Sequence, residues 1–227
     1  MTARPLRFSR FQALTVFSGA VAAFMLVAAA VVMVPAVELT DARVNIWVHA
    51  HALPVAIELM LVISFLGAPS TLTAVTAAIA SVLMYRHQYR QSIVLLAVVV
   101  GGNLLNVGLK HLLHRGRPAI EDPLLMLPTY SFPSGHAMAA TVFYGLAAAY
   151  AVTHLRSRHL AQSAILAAVI MITLVCVSRV YLGVHYLSDV IAGLAEGIAW
   201  LVVSLTALEY VSDRGKISAD GRENSNS

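Results

Sequence analysis

Apolar stretches long enough to cross a lipid bilayer recur along almost the whole sequence. They cover residues 11–37, 70–85, 92–109, 136–152, 160–180 and 187–208. A helix needs about 20 residues to span about 30 Å of hydrocarbon, and the shorter stretches suffice once their ends and tilt are included. The chain is 59% hydrophobic and only 11% charged, unlike soluble domains. The sequence therefore predicts an all-α, polytopic membrane protein with six transmembrane helices.

The apolar pattern weakens between the first and second stretches, at residues 38–67. Charged and aromatic side chains such as Asp41, Arg43, Trp47 and Glu58 interrupt it. This mixture is typical of a segment that lies along the membrane surface. We predict a short interfacial helix between the first and second spans.

The first apolar stretch follows a basic segment that contains Arg4, Arg7 and Arg10. A signal peptide also begins with basic residues, but its apolar core is only about 7–15 residues long. The stretch at residues 11–37 is much longer than that. We therefore expect a retained first transmembrane helix.

The distribution of Lys and Arg predicts the orientation in the membrane. With six spans and both termini on one side, ten of the 15 basic residues fall on that side. The positive-inside rule places it in the cytoplasm. The other side carries five basic residues, namely Arg43, Lys110, Arg115, Arg117 and Arg179.

Composition excludes several other classes of protein. The single cysteine, Cys176, cannot form an intrachain disulfide or a CxxC metal site. The formal net charge is +4, but the basic residues are scattered among apolar stretches, so nucleic-acid binding is not expected. We interpret residues 1–227 as a single integral-membrane domain.

Three polar blocks stand out on the predicted outer side. Residues 110–118 read KHLLHRGRP, residues 133–136 read PSGH, and residues 178–189 read SRVYLGVHYLSD. They place three cations, Lys110, Arg117 and Arg179, at the ends of apolar helices, together with histidines. Each cation alone could reach the membrane surface for no chemical reason. Three on one face indicate that they bind an anion.

The three blocks resemble the signatures K-x6-RP, PSGH and SR-x5-H-x3-D of the type 2 phosphatidic acid phosphatase superfamily, and every signature position is matched. The six-helix layout agrees with the integral-membrane branch of that superfamily. The resemblance implies a membrane lipid phosphatase with its active site at the outer face.

Phosphoryl transfer mainly requires positioning and neutralisation of charge on the phosphoryl oxygens. Lys110, Arg117 and Arg179 can supply that neutralisation, and no metal or cofactor is then expected. Ser134 and Gly135 lie where a loop becomes a helix, so backbone N–H groups there are expected to point at a bound anion. Ser134 could equally serve as the helix N-cap, and the two roles are compatible.

The catalytic roles follow from the resemblance. His185 is expected to attack phosphorus and form a phosphohistidine, while His136 protonates the leaving group and then activates water. Asp189 lies four residues after His185, so a helix would bring the carboxylate to the imidazole and fix its orientation. Ser134 and Gly135 would complete the phosphate-binding site with Lys110, Arg117 and Arg179.

The substrate is expected to be a lipid phosphate in a bacterial cytoplasmic membrane. Undecaprenyl diphosphate ranks narrowly first, before phosphatidylglycerophosphate and phosphatidate. A lipid A phosphatase and a lipid-to-lipid phosphotransferase are alternatives on the same scaffold, as is a non-catalytic protein that binds or translocates lipids. The transmembrane composition argues against the soluble vanadium haloperoxidases. The sequence gives no indication of oligomeric state.

Several other polar and small residues are interpreted as packing residues. Asn103 and Asn106 share the helical face of Lys110, and Glu196 shares that of Asp189. Hydrogen bonding between helices is the simplest role for the two asparagines, and for Glu196 a functional role is equally open. Gly193 and Gly197 form a small-x-x-x-small pair that predicts close helix packing.

Overall fold

The computed structural model describes residues 9–118 and 129–223, with side chains up to residue 208. These residues form eight α-helices and no strand. In chain order they are α1 (Arg10–Met33), α2 (Pro35–Ala50), α3 (Pro54–Leu66), α4 (Pro69–Tyr85), α5 (Tyr89–Leu113), α6 (Gly135–His154), α7 (Arg158–Tyr181) and α8 (Leu187–Glu223). Helices satisfy every backbone hydrogen bond internally, as the lipid interior requires.

The six predicted spans are confirmed as five single helices and one bent pair. The five are α1, α5, α6, α7 and the Leu187–Leu208 part of α8. The bent pair consists of α3 and α4, which meet at 42° across a short break. Pro69 begins α4, and a proline at the first helical position lacks the N–H that would continue the preceding helix.

The segment between the first two spans differs from the expectation. Residues 38–67 do not form one short interfacial helix, because Pro35 begins α2 and Pro54 begins α3. The apolar helix α3 belongs to the bent span, so the second crossing begins near residue 54 instead of 70. The start of this span was not recognised in the sequence because Pro54 and Glu58 resemble residues of a surface segment. The Glu58 side chain is exposed in the structure. Only α2 corresponds to the predicted surface segment.

Helix α6 lies at the centre of the bundle and packs against α4, α5, α7 and α8. Its first two turns are buried, from Gly135 to Val142 except for the half-buried His136. The other long contact joins α1 to α8. The buried start of α6 therefore faces the ends of several helices, and the three sequence blocks converge there.

The predicted glycine contact between helices is confirmed on α8. A Cβ atom on Gly193 would lie 2.4 Å from the backbone oxygen of Ser134, and one on Gly197 would lie 2.7 Å from the Cβ of Thr141. Both distances are too short for real side chains, so the glycines allow α8 to approach α6 closely. The contact of Gly193 is with Ser134, the residue immediately before α6 in the PSGH block.

We expect Gly193→Ala to lower the thermal stability of the protein. The added methyl group meets backbone, which cannot rotate away, and over-packing of this kind costs about 1–3 kcal/mol. Gly108→Ala on α5 is the matched control, because its Cβ would meet nothing within 4 Å. It should be neutral or slightly stabilising. Melting temperatures in detergent test this, and equal effects of the two substitutions would contradict it.

Candidate active site

The structure brings all eight predicted site residues together at one end of the bundle. They come from the end of α5, the segments at 114–118 and 129–134, the start of α6, the end of α7 and the turn into α8. Direct contacts connect them: Lys110 Nζ donates to the Ser131 carbonyl at 3.3 Å, Arg117 Nη1 lies 3.4 Å from His185 Nε2, and the Ser134 N–H donates to the Asp189 carbonyl at 3.0 Å. The His185 N–H also donates to the Arg179 carbonyl at 3.3 Å.

His185 and Asp189 form the expected pair. The Nδ1 of His185 lies 3.2 Å from Oδ2 of Asp189, and both side chains are buried. Because Arg117 can only donate, its Nη1 contact with Nε2 requires a lone pair there. The proton is therefore assigned to Nδ1, which donates to Asp189, and Nε2 carries the lone pair that a nucleophile needs.

Burial also keeps the His185 imidazole neutral. Desolvation lowers the pKa of His185 to about 4, although the hydrogen bond and charge of Asp189 oppose it and Arg179 and Arg117 add to it. At neutral pH the ring is therefore unprotonated on Nε2. An unprotonated ring nitrogen is what a nucleophilic histidine needs.

Four donors hold the Asp189 carboxylate. Besides His185, they are the Ser131 hydroxyl, the Tyr186 N–H at 3.0 Å and Arg115 Nη1 at 2.6 Å. Arg115 also donates through Nη2 to Asp41 on α2 at 2.8 Å. Desolvation acts against the charge of Arg115, but Asp189 and Asp41 outweigh it and raise the pKa of the guanidinium.

The three predicted phosphate-binding cations have no carboxylate within 4 Å among the described residues, unlike Arg115. Lys110 donates to the Tyr130 carbonyl at 2.6 Å, and Arg117 donates to the Thr129 and Val184 carbonyls at 2.7 and 2.8 Å. Arg179 donates to the Ser64 hydroxyl. Buried cations are normally paired, so this cluster is suited to an anion.

Two buried polar groups in the cluster have no hydrogen-bond partner in the described part of the chain. They are Oγ of Ser134 and Nε of Arg179. Ser134 occupies the N-cap position of α6, but its side chain does not cap the helix. An oxygen-rich ligand would satisfy both groups.

The helix start behaves partly as predicted. The Ser134 N–H is used by the Asp189 carbonyl and is not available to an anion. The next N–H groups, of Gly135 and His136, belong to the first turn of α6 and have no intrahelical partner. A Cβ on Gly135 would lie 3.0 Å from Oδ1 of Asn106, so glycine also suits the tight packing there.

A cavity of about 560 Å³ runs between α4 and α5 to Lys110 and Gly135. Thr73 and Asn103 face it and are joined by a hydrogen bond of 3.0 Å. Asn106, which also lines it, donates to Glu196 at 2.8 Å across the helix packing. Both asparagines thus have the structural hydrogen bonds expected for them, and Glu196 is bonded to Asn106.

Sequence reasoning missed four residues around Asp189, namely Asp41, Arg115, Ser131 and Ser188. Ser188 donates to Asp41 through its hydroxyl, and its N–H donates to Asp41 at 3.2 Å. Asp41 was only a polar interruption in the sequence, yet it is 5% exposed. The available signal was the acidic residue Asp41 in the surface segment together with Arg115, a further basic residue on the predicted outer side. It could not be used without knowing that α2 contacts the start of α8.

Among the described residues, no three His, Cys, Asp or Glu side chains come together as a candidate metal site. His185 and Asp189 form a hydrogen-bonded pair, and His136 lies near His185. Residues Glu121 and Asp122, which lie between two of the sequence blocks, are outside the described part of the chain.

Comparisons with known proteins show the family of the chain. The model of the PAP2 superfamily matches residues 91–213. The phosphatidylglycerophosphatase B of Bacillus subtilis is 35% identical over 177 residues, which cover 77% of this chain and 86% of the relative.

A solved structure gives the same result for the fold. The crystal structure of a transmembrane PAP2-type phosphatidylglycerolphosphate phosphatase from Bacillus subtilis superposes with a TM-score of 0.74 at 30% sequence identity, covering 88% of this chain and 98% of that chain. The expected family and activity class are thereby confirmed. The chain belongs to the PAP2 superfamily and is an integral-membrane lipid phosphatase.

Proposed function

We propose that the chain hydrolyses phosphatidylglycerophosphate through a phosphohistidine on His185. One observation carries the proposal: Arg117 lies 3.4 Å from Nε2 of a neutral histidine, Lys110 and Arg179 lie in the same cluster, and none of the three cations has a carboxylate partner in the described residues. A phosphate group placed there meets positive charge at its oxygens and a nucleophile at phosphorus.

In the first step, Nε2 of His185 attacks phosphorus as the phosphorus–oxygen bond to the lipid breaks. The imidazole keeps its proton on Nδ1, hydrogen-bonded to Asp189, and becomes positively charged. His136, half-buried at the start of α6, donates a proton to the leaving alkoxide and releases the lipid alcohol. Lys110, Arg117 and Arg179 neutralise the charge on the phosphoryl oxygens, assisted by Ser134 and the Gly135 N–H.

In the second step, the now neutral His136 takes a proton from water. The hydroxide attacks phosphorus, the phosphorus–nitrogen bond breaks, and inorganic phosphate leaves. His185 returns to its neutral form with the proton still on Nδ1. These two steps need only groups of this chain, water and the substrate.

The substrate ranking changes in the light of the relatives. The sequence placed undecaprenyl diphosphate narrowly first, but the Bacillus subtilis relatives are named for phosphatidylglycerophosphate. The matches cover 86% of the curated relative and 98% of the solved one, which supports the same substrate here. The cavity between α4 and α5, with Thr73 and Asn103 in its wall, can accommodate a polar glycerol group beside the phosphate.

We also propose a bacterial cytoplasmic membrane, with cytoplasmic termini and the active site at the outer face. The distribution of basic residues supports this orientation, because ten of 15 lie on the side of the termini. Most cations on the other side have a function in the site, which accounts for their departure from the rule. Arg115, Lys110, Arg117 and Arg179 all contact the active-site cluster.

Phosphate release by the purified protein in detergent, with excess chelator, tests the substrate. We expect the kcat/KM for phosphatidylglycerophosphate to exceed those for undecaprenyl diphosphate, phosphatidate and lipid A by at least about tenfold. Activity should survive the chelator. A higher kcat/KM for another lipid would overturn the substrate proposal but not the phosphatase activity, and loss of activity in chelator would overturn the proposed mechanism.

A further inference from the structure

The Asp189 carboxylate, which contacts His185, belongs to a network of charged side chains that extends to α2. Arg115 bridges two carboxylates, with Nη1 on Asp189 at 2.6 Å and Nη2 on Asp41 at 2.8 Å. Ser188 contacts Arg115 Nη1 at 2.7 Å and also donates to Asp41. Both carboxylates are buried and the guanidinium side chain is 12% exposed, so solvent screens these charges only weakly.

The three charged side chains Asp41, Arg115 and Asp189 have a net charge of minus one. Asp41 and Asp189 each contribute a negative charge and Arg115 a positive one. Without Asp41, the guanidinium would cancel the Asp189 carboxylate. Without Arg115, two buried carboxylates would remain without a counter-charge and Asp189 would lose a strong donor.

A single negative charge matches what the proposed mechanism needs at this position. His185 is neutral before the attack and positively charged as the phosphohistidine forms. A net negative charge next to Nδ1 stabilises the charged form more than the neutral one. If Arg115 fully neutralised the charge of Asp189, the carboxylate would still orient the ring but would not provide this stabilisation.

We infer that Asp41 and Arg115 are positioning residues for the phosphoryl-transfer reaction, which together hold Asp189 and maintain one net negative charge behind His185. The inference rests on the proposed role of His185 as nucleophile. It assigns a function to α2, whose sequence indicated only a position at the membrane surface. Helix α2 contributes to the reaction through Arg115, without contacting the substrate phosphate.

Other charged and titratable groups lie around His185 and its neighbours. Arg117 after α5, Arg179 on α7 and His136 on α6 act electrostatically on His185 or with it, and Lys110 on α5 acts on His136. Glu38 on α2 is near Tyr186, which precedes α8. Glu38 lies one turn before Asp41, is exposed, and makes no contact with Arg115. Glu38→Gln is therefore a matched control for removing a negative charge from α2.

The test measures kcat against pH for four variants. In Asp41→Asn the net charge behind His185 becomes zero, so we expect kcat to fall about tenfold and the acid limb to move to lower pH. In Arg115→Met the charge becomes minus two, which favours His185 protonation, so the acid limb should move to higher pH. Asp41→Glu keeps the charge and should keep the wild-type limb. Glu38→Gln should resemble wild type.

The double variant, Asp41→Asn with Arg115→Met, is the most discriminating. It restores a charge of minus one, so its acid limb should return to the wild-type position and its kcat should exceed that of Asp41→Asn. A structural role predicts instead that both single variants lose activity without opposite pH shifts and that the double variant is no better than the worse one. Either of those results would overturn the inference.

Two further readouts keep the outcome decisive. If Arg115→Met does not fold, a comparison of Asp41→Asn with Asp41→Glu decides alone, since only the first changes the charge. Coinciding profiles for those two variants would overturn the inference. If wild type forms no phosphohistidine, the proposed mechanism fails instead, which trapping of the labelled enzyme detects separately.

Discussion

His185→Ala is expected to lower phosphate release by about 10³-fold or more, because removal of a nucleophile removes the covalent path altogether. The Nε2 atom of His185 is the proposed nucleophile and lies 3.4 Å from Nη1 of Arg117. Phosphate release from phosphatidylglycerophosphate in detergent measures the loss. A rapid base quench with ³²P-labelled substrate should trap a base-stable, acid-labile label on wild type and none on the variant.

The matched control is His159→Ala. His159 is exposed on the first turn of α7, at the end of that helix away from Arg179. This variant should keep wild-type activity and the trapped label. Label on His185→Ala, or activity within about tenfold of wild type, would contradict the assignment of His185 as nucleophile.

Arg179→Met should lower kcat/KM by about 10²–10³-fold, the usual effect of removing one donor from a preorganised anion site. Arg179 is 4% exposed, and its Nε has no partner in the described residues. Arg179→Lys keeps the charge but loses the planar fork, so its activity should lie between those of wild type and Arg179→Met. Steady-state kinetics of the purified variants measure these effects.

Stability should change in the opposite direction from activity in this variant. A buried cation without a carboxylate partner is costly to desolvate, so Arg179→Met should raise the melting temperature of the phosphate-free enzyme. Arg158→Met, on the same helix about 30 Å away, removes an exposed charge and should change neither property. If Arg179→Met lost stability and activity together, Arg179 would have to be regarded as a structural residue.

The reactive core could be predicted because it depends on local spacing. His185 and Asp189 are four residues apart, and the turn that leads into α8 at Leu187 brings them into contact. Lys110, Arg117 and Arg179 could be recognised as a group because apolar helices fix which side of the membrane each reaches. The packing of α5, α7 and α8 against α6 then brings these helix ends together.

The contacts of α2 could not be predicted in this way. The ion pair between Asp41 and Arg115 joins residues 74 positions apart and depends on how α2 packs against α7 and α8. The mixture of polar and apolar residues in α2 indicates a surface segment but not which residue the helix buries. For the same reason the sequence did not predict that α3 belongs to a bent span, since Pro54 and Glu58 resemble the polar residues of a surface segment.

Asp189 and Gly193 lie four residues apart on α8 and therefore on the same face of that helix. The carboxylate bonds His185, and the glycine meets the Ser134 carbonyl at the start of α6. One rotational setting of α8 satisfies both contacts. A single-residue insertion between them would turn the rest of the helix by about 100°. The contact of Gly193 with Ser134 and the contact of Asp189 with His185 could then no longer form together. Substitutions can therefore accumulate on the lipid-facing side of α8, whereas insertions or deletions in its first turns cannot be accommodated.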